Sequence, residues 1–180
     1  MWLQEIDSNW TLFLDRDGVI NERNFDGYIT KTDSFKFTPH FLEIIPLLTK
    51  VFGRIIIVTN QQGVGKGEMS ESSLDQIHFF MTQKIEQHGG KIDYVFSATN
   101  LKQAINDRRK PLPVMGLEAK TLFPTIDFQK SVMIGDTNSD ILFGKNLGMR
   151  TILLKSKEKI TVNADLEILN FIELKSMFES

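Results

Sequence analysis

The stretch Thr11–Asn21 reads T-L-F-L-D-R-D-G-V-I-N and decides the fold of the chain. A short apolar run, Leu12–Leu14, ends abruptly at two carboxylates, Asp15 and Asp17. Aspartate is disfavoured in strands, and a buried carboxylate is costly unless it is paired with a cation or binds a metal. Taken alone, the stretch is equally compatible with a strand that ends in an ordinary Asp-Gly turn. A calcium loop is excluded, because apolar residues stand where that loop needs a ligand and a glycine.

The composition is that of an ordinary globular chain. It has 180 residues, 41% of them apolar and 24% charged, so we expect a single domain over residues 1–180. The net charge of -2 disfavours nucleic acid and anionic membranes as partners. The absence of cysteine excludes disulfides and thiolate metal sites. Met1–Glu5 does not resemble a signal peptide, and no apolar run has the length of a membrane span, so we expect a cytoplasmic protein.

Short apolar strands alternate with helices along the chain. Strands are predicted at Trp10–Leu14, Arg54–Val58, Tyr94–Phe96, Lys130–Ile134 and Arg150–Leu154. Helices are predicted after Thr38 as N-cap, after Ser70 as N-cap, over Val114–Phe123 and up to Gly148. This alternation is typical of a Rossmann-like, doubly wound α/β fold, a mainly parallel sheet with helices on both faces. The chain is too short to add a large cap domain, and the order of elements in the tail, Leu166–Phe178, stays open.

Polar side chains follow several of these predicted strands, at the point where each strand ends. They are Asp15, Asp17, Thr59, Asn60, Asp136 and Asp140, and Lys110 lies in the loop after the third strand. In doubly wound sheets, ligands bind outside the carboxyl ends of the strands, and right-handed crossovers bring those ends to one edge. We therefore expect carboxylates, hydroxyl and amide groups and a cation in one region.

Such a set of groups suits phosphoryl transfer. Several acids lie close together only if a metal or protonation offsets their repulsion, and oxygen ligands without cysteine favour Mg²⁺. A lysine beside a hydroxyl and an amide can hold a phosphate. One aspartate can attack phosphorus, and a second one can give and take the proton. These residues therefore suffice to hydrolyse a phosphomonoester through an aspartyl-phosphate.

Four segments, in order along the chain, resemble the motifs of the haloacid dehalogenase superfamily. They are Asp15-Arg16-Asp17-Gly18-Val19-Ile20, Thr59-Asn60-Gln61, Arg109-Lys110-Pro111 and Gly135-Asp136-Thr137-Asn138-Ser139-Asp140. The resemblance extends from Leu12 to Leu154. Within the superfamily, these segments are most similar to the small capless branch, which holds histidinol-phosphate phosphatases and heptose bisphosphate phosphatases. The resemblance implies a Mg²⁺-dependent phosphatase that acts on a small phosphorylated metabolite.

The resemblance also implies roles for individual residues. Asp15 would be the nucleophile and a Mg²⁺ ligand. Asp17 would be the general acid/base, with its backbone carbonyl on the metal. Asp136 would complete the metal site, and Asp140 would support it without binding the metal itself. Lys110 would neutralise the nucleophile and the phosphate.

Further residues are implied to contact the substrate. Thr59 and Asn60 would bind the transferring phosphate, whereas Gln61 and Arg109 would contact the substrate or its surrounding loops. These residues do not separate a sugar bisphosphate from histidinol phosphate. The donors of the Gly-rich loop Gly63–Gly67, together with the basic Arg109-Lys110 pair, suit a polyanion and favour the heptose bisphosphate.

The loop before Arg109 departs from the family pattern. Relatives usually carry a zinc-binding loop that ends in C-x-C-R-K-P, whereas Asn106 and Arg108 stand at the cysteine positions here. The loop contains no histidine either. We therefore predict no zinc, and the loop Ser97–Asp107 must hold its shape by other contacts.

Other interpretations of the same residues remain open at this point. Asp136 and Asp140 could be simple helix caps. A P-loop nucleotide hydrolase would explain the Gly-rich loop with Lys66, but Asn60 and Gly67 replace the first Gly and the Ser/Thr of that motif. A phospho-receiver also combines acids with a lysine, although a second acid at the strand tip favours turnover.

The remaining polar residues give weaker signals. The three histidines, His40, His78 and His88, lack the spacing of metal ligands and are interpreted as structural or surface residues. The sequence carries no signal for an oligomeric state.

Overall fold

The computed structural model describes residues 2–180 and contains a six-stranded, wholly parallel sheet. The strands are β1 (Thr11–Leu14), β2 (Arg54–Asn60), β3 (Tyr94–Ala98), β4 (Ser131–Gly135), β5 (Arg150–Leu154) and β6 (Leu166–Ile168). The helices are α1 (Phe41–Val51), α2 (Gln62–Gly65), α3 (Glu71–Gln87), α4 (Val114–Leu122), α5 (Asn138–Leu147) and α6 (Phe171–Glu179). Short 3₁₀ turns lie at Trp2–Glu5, Thr32–Ser34 and Phe128–Lys130. The predicted α/β class is confirmed.

The strand order is β3-β2-β1-β4-β5-β6, which is the order of a Rossmann-type sheet. The direction of winding reverses between β1 and β4, which are direct neighbours in the sheet. At such a reversal the loops after the two strands diverge and leave a crevice at the carboxyl edge. The residues that follow β1 and β4 therefore lie at the mouth of this crevice.

Each central strand is buried on both faces. Successive side chains of a strand point to opposite sides of the sheet. In β1, Leu12 and Leu14 enter one apolar cluster, and Phe13 enters the other. This explains why the strand sequences are continuous apolar runs rather than alternating ones.

Helices cover the two faces of the sheet. The buried residues of α1 and α6, with Ile77, Met81 and Ile85 of α3, pack in the cluster that contains Leu12. Those of α4, together with Phe143 of α5, pack in the cluster that contains Phe13. The sheet is therefore held from both sides, and the tips of its strands are rigidly placed.

The predicted start of the first helix was wrong. Thr38 is not the N-cap, because its hydroxyl binds no backbone N–H and its carbonyl accepts from Phe41 N–H at 3.1 Å in a turn that precedes the helix. The helix begins at Phe41 instead, after His40 in the left-handed region with φ 65°. By contrast, Ser70 caps α3 as predicted, since its hydroxyl accepts from the backbone of Ser73 at 3.0 Å.

Within residues 2–180, none of the helices has both the length and the apolar character that a membrane crossing requires. In the same part of the chain, no large cap domain is inserted over the carboxyl edge of the sheet, which is bordered by loops and the short helix α2. The tail, whose order the sequence left open, forms β6 followed by α6.

Candidate active site

Three carboxylates meet in the crevice between β1 and β4. Asp15 directly follows β1, Asp136 directly follows β4, and Asp140 lies in the first turn of α5. All three are buried, and each offers an oxygen within 4.8 Å of the others. Gly18 permits this approach, because a Cβ there would lie 2.2 Å from Asp136 Oδ2 and its φ is +95°.

Lys110 is the buried cation of this cluster. Its Nζ donates to Asp15 Oδ1 and to the carbonyl of Val58, both at 2.7 Å, and lies 2.6 Å from Asp140 Oδ1. Burial by itself would lower the pKa of Lys110, but Asp140 and Asp15 outweigh it and raise that pKa. The lysine is therefore held charged against the carboxylate that the sequence identified as the nucleophile.

Asp140 serves two purposes at once. Its Oδ2 accepts from the backbone N–H groups of Asp136 and Thr137 at the start of α5, at 3.2 and 3.0 Å. Its Oδ1 faces Lys110. The helix-cap interpretation of Asp140 is correct, and the same side chain also orients the lysine.

Arg23 is a second cation that the sequence did not single out. Its Nη2 donates to the backbone carbonyl of Asp17 at 2.8 Å and to Asp136 Oδ1 at 2.7 Å, and it lies 3.8 Å from Asp15 Oδ2. A positively charged group is thus accommodated between two carboxylates and a carbonyl. These oxygens, all hard donors, fit a divalent cation such as Mg²⁺.

The electrostatics of the cluster agree with a site that needs positive charge. Burial, together with the neighbouring Asp140, raises the pKa of Asp15 to about 7. Burial also raises the pKa of Asp136 to about 6, although Arg23 works in the opposite direction. The two cations of the cluster, Lys110 and Arg23, therefore do not fully compensate the three acids.

Asp17 lies in a different environment from Asp15. Its Oδ1 accepts from Arg16 at 2.8 Å and from Asn21 at 3.0 Å, and its Oδ2 accepts from Gln61 at 2.7 Å. Burial pulls the pKa of Asp17 upward, but the charge and hydrogen bond of Arg16, with the amides of Asn21 and Gln61, leave it below its usual value. Asp17 is therefore held as an anion.

Arg16 connects Asp17 to His78 in the protein core. The side chain is fully buried, and its Nη1 lies 3.3 Å from His78 Nε2 on α3. Burial and the adjacent Arg16 lower the pKa of His78 to about 3. The contact of Arg16 with His78 of α3 therefore fits the interpretation of His78 as a structural residue.

Gln61 and Thr59 point into the protein. The Gln61 amide donates to Thr59 Oγ1 at 2.9 Å as well as to Asp17, and both side chains are buried. In this arrangement Gln61 contacts the acid/base candidate rather than the open pocket. The predicted substrate contact of Gln61 stays a prediction.

Asn60 forms a two-point contact with the backbone of Lys110. Its Oδ1 accepts from Lys110 N–H at 2.9 Å, and its Nδ2 donates to the Lys110 carbonyl at 3.1 Å. Next to it, Arg109 Nη1 donates to Gln62 Oε1 of α2. The two basic neighbours thus have separate partners.

A pocket of about 230 Å³ opens above the carboxylates. It is lined by Asp15, Asp17, Arg23, Asn24, Gly27, Tyr28, Ile29, Asn60, Gln62, Arg109, Lys110, Thr137, Ser139 and Asp140. Seven of the nine predicted site residues lie in this lining or in the acid cluster beneath it, and Thr59 and Gln61 lie buried behind it. The sequence missed Arg23, Asn24 and Tyr28, since their polar segment has no periodic pattern or motif to mark them.

Lys66 of the Gly-rich loop lies apart from the acids. Its Nζ lies 5.5 Å from the centre of the Tyr28 ring, outside the lining of this pocket. In a P-loop the lysine would reach the phosphates of a bound nucleotide, whereas Lys66 lies outside the pocket lining.

Comparison with known proteins identifies relatives over almost the whole chain. The HAD-hydrolase-like family model matches residues 107–167. A D-glycero-alpha-D-manno-heptose-1,7-bisphosphate 7-phosphatase of Campylobacter jejuni is 31% identical over 93% of this chain and 95% of its own. An enzyme of the same name from Burkholderia mallei is 36% identical over 81% of this chain and 79% of its own. A D-glycero-beta-D-manno-heptose-1,7-bisphosphate 7-phosphatase from Pasteurella multocida is 32% identical over 83% of this chain and 84% of its own.

Solved structures agree on the fold. The D,D-heptose 1,7-bisphosphate phosphatase of B. bronchiseptica, solved with magnesium and phosphate, superimposes with a TM-score of 0.83. It is 23% identical and covers 95% of this chain and 99% of its own. A HAD-like phosphatase structure from Mesorhizobium loti gives a TM-score of 0.75 at 25% identity, over 94% of this chain and 84% of its own.

Proposed function

The chain belongs to the haloacid dehalogenase-like phosphatases, and we propose that it removes the 7-phosphate of a D-glycero-D-manno-heptose 1,7-bisphosphate. The observation that carries the chemistry is the placement of Asp15, paired with Lys110, beneath an open polar pocket. The substrate is inferred from the relatives, which carry this name and match most of their own length.

In this proposal the carboxylates of Asp15 and Asp136 and the backbone carbonyl of Asp17 would hold Mg²⁺. Oxygens of these three groups surround the Arg23 guanidinium. When bound, the cation would supply charge neutralisation for the phosphate and the nucleophile. Arg23 would then compete with the cation for the oxygens of Asp136 and Asp17, because two positive charges repel each other at so short a distance.

The first half of the reaction forms the aspartyl-phosphate. An Asp15 carboxylate oxygen attacks phosphorus, and the bond between phosphorus and the sugar oxygen breaks. Lys110 stabilises the charge that develops on the phosphoryl oxygens, and Asn60, in the pocket lining, binds the group in transfer, whereas the predicted phosphate contact of the buried Thr59 stays a prediction. Asp17 protonates the departing sugar oxygen.

The second half returns the enzyme to its starting state. A water attacks phosphorus, the bond to Asp15 breaks, and Asp17 takes the proton from the water. The anionic Asp17, with its three donors, is in the state that accepts this proton. For the first half it must be protonated, and the dianionic phosphate of the substrate favours that by raising the pKa of a nearby acid.

The surroundings of the pocket suit a compact polyanion. Arg23 and Arg109 lie in the lining, and the loops around it leave the pocket open to a substrate larger than one phosphate. We propose that Arg109 contacts the second phosphate. The proposal includes no zinc, since none of the pocket residues is a cysteine or a histidine, and it places the enzyme in the cytoplasm, where phosphorylated sugars are handled.

The test is a comparison of kcat/KM across phosphomonoesters in the presence of Mg²⁺. The panel contains the alpha and beta heptose 1,7-bisphosphates, histidinol phosphate and a generic aryl phosphate, with Asp15→Asn as the inactive control. The proposal expects a heptose bisphosphate to exceed histidinol phosphate and the aryl phosphate by at least about a hundredfold, because an ionic contact between the half-buried Arg109 and a second phosphate contributes a few kcal/mol. Equal, slow rates on all of them would contradict a dedicated sugar phosphatase.

A further inference from the structure

The segment Thr99–Arg109, here called the rim loop, connects β3 to Lys110 and borders the pocket through Arg109. It contains neither helix nor strand; five of its eleven residues are exposed and none is buried. A loop of this length without secondary structure needs side-chain hydrogen bonds to adopt one conformation. Arg108 ties the loop to Glu118 and Ser97, and Asp107 accepts most of the side-chain hydrogen bonds within the loop.

Asp107 is the centre of the rim loop. Its Oδ1 accepts from the backbone N–H of Arg109 at 2.9 Å and from Asn100 Nδ2 at 3.2 Å. Its Oδ2 accepts from the backbone N–H of Gln103 at 3.1 Å. The carboxylate thus ties the beginning, the middle and the end of the loop together.

The conformation at Gln103 depends on this contact. Its φ is 63°, in the left-handed region that non-glycine residues avoid. A residue persists in that region when the surrounding contacts over-determine it, and the bond to Asp107 is one such contact. Loss of the carboxylate therefore releases the middle of the loop as well as its end.

Lys110 is anchored independently of the rim loop. Its backbone is bound on both sides by Asn60, and its Nζ is bound by Val58, Asp15 and Asp140. These partners belong to β2, to the tip of β1 and to the first turn of α5. Arg109 is adjacent in sequence, yet its backbone N–H is bound within the rim loop by Asp107 and its side chain is bound by Gln62 of α2.

We propose that Asp107 is the positioning residue for Arg109 and that Asn60 is the positioning residue for Lys110, so that substrate affinity and turnover are set by separate anchors. This inference rests on the proposed function, in which Arg109 meets the second phosphate and Lys110 meets the phosphate in transfer. Asp107 acts on KM, because Arg109 binds a part of the substrate that does not react. Asn60 acts on kcat, because Lys110 contacts the reacting groups.

The experiment measures steady-state kinetics of four variants on heptose 1,7-bisphosphate and on an aryl phosphate, which has no second anionic group. Asp107→Ala is expected to raise KM for the bisphosphate about tenfold with kcat within about twofold, and to change KM for the aryl phosphate less than about twofold. Asn60→Ala is expected to lower kcat on both substrates at least about tenfold. Asp107→Asn keeps one acceptor oxygen, so its KM for the bisphosphate should lie between those of the wild type and Asp107→Ala.

The control is Asn106→Ala, an exposed neighbour whose side chain makes no hydrogen bond in the structure, and its kinetics should match the wild type. Amide hydrogen exchange supplies a readout that does not depend on turnover. In Asp107→Ala, exchange at Gln103 and Arg109 should accelerate while the amide of Lys110 stays protected by Asn60.

The outcomes separate this inference from the proposed function. A wild-type enzyme that shows no preference for the bisphosphate contradicts the proposed function. If the wild type shows that preference, either of two results for Asp107→Ala overturns the positioning role of Asp107. One is an unchanged KM for the bisphosphate, and the other is an equal fall of kcat on both substrates. Unchanged kcat in Asn60→Ala overturns the role of Asn60.

Discussion

The acid cluster and the rim loop face the same pocket but are built in opposite ways. The cluster of Asp15, Asp136 and Asp140 is buried and stands on strand tips and the first turn of a helix, with Lys110 and Arg23 as counter-charges. The rim loop has no buried residue and is held by the side chains of Asp107 and Arg108. The carboxylates are supported by the sheet and α5, whereas Arg109, which we propose contacts the second phosphate, lies on a loop supported by side-chain hydrogen bonds.

This difference has a physical reason. A buried charge tolerates little displacement, because moving it away from its partner exposes the full cost of desolvation. Arg109 is half-buried at the edge of the pocket and keeps part of its hydration, so a small shift of its side chain costs less. In the proposed function, a change in the rim loop would therefore alter substrate preference without disturbance of the carboxylates beneath it.

The largest effect is expected within the acid cluster. Asp15→Asn should reduce phosphate release by at least about a thousandfold, because an amide oxygen is a poor nucleophile and the covalent step is lost. Phosphate release with Mg²⁺ is the measurement, and circular dichroism should show an unchanged fold. Substantial residual turnover would mean that the covalent route through Asp15 is wrong.

Asp17→Asn should have the next largest effect. Loss of the proton donor and acceptor should slow turnover by roughly a hundredfold or more. Binding of Mg²⁺ should persist, since the proposed contact uses the backbone carbonyl, and phosphorylated enzyme should accumulate. Intact-mass spectrometry after mixing with substrate detects the added phosphoryl group. Turnover at the unmutated rate would contradict the role of Asp17.

The third prediction concerns His78, which contacts the buried Arg16 next to Asp17. The pKa of His78 is lowered from 6.5 to about 3 in the folded protein. Below pH 6.5 the unfolded chain therefore binds a proton on His78 that the folded protein does not bind. The contribution of neutral His78 to the free energy of unfolding is complete above pH 6.5 and is lost as the pH falls toward 3.

The corresponding variant is His78→Gln, with urea unfolding as the measurement. Between pH 6.5 and pH 4.5 the wild type should lose about 2 kcal/mol more of its unfolding free energy than the variant does. His88→Gln, on the exposed end of α3, serves as the control and should behave like the wild type. Identical pH dependence in wild type and His78→Gln would contradict the role given to burial.

Arg23 tests the charge balance of the cluster. Arg23→Met removes the guanidinium that shares Asp17 O and Asp136 Oδ1 with the proposed cation, so Mg²⁺ should bind about tenfold more tightly. Isothermal titration calorimetry without substrate is the measurement. The exposed Arg150→Met is the matched control. Weaker Mg²⁺ binding in Arg23→Met would show that Arg23 supports the cation site rather than competes for it.

The smallest effect is expected in the rim loop. Arg108 pairs with Glu118 of α4 through two hydrogen bonds, at 2.8 and 2.5 Å, and donates to the carbonyl of Ser97 at 3.0 Å. Because this pair is partly exposed, Glu118→Gln should lower the unfolding free energy by no more than about 1 kcal/mol. Urea unfolding measures it. A loss as large as that of a buried ion pair would erase the contrast between the two regions.

Much of the fold was readable from the sequence because it is encoded locally. Continuous apolar runs such as Arg54–Val58 predict strands buried on both faces, and the acids that end β1 and β4 mark the strand tips. The motif order then predicted the family, which the relatives confirm. The helix start at Thr38 was mispredicted, because Thr38-Pro39-His40 forms a turn ahead of the helix and the Thr38 hydroxyl caps no backbone N–H.

By itself, then, the sequence determined the sheet and the acids that lie at its edge. Only the tertiary structure decided that Arg23 reaches Asp136 across 113 positions, that Gln61 turns inward to Asp17, and that Asp107 organises the rim loop. Strand identity follows from local hydrophobic pattern, whereas these contacts depend on how loops of different origin meet above the sheet. Their partners are distant in sequence, and no periodicity along the chain records which polar side chains will meet.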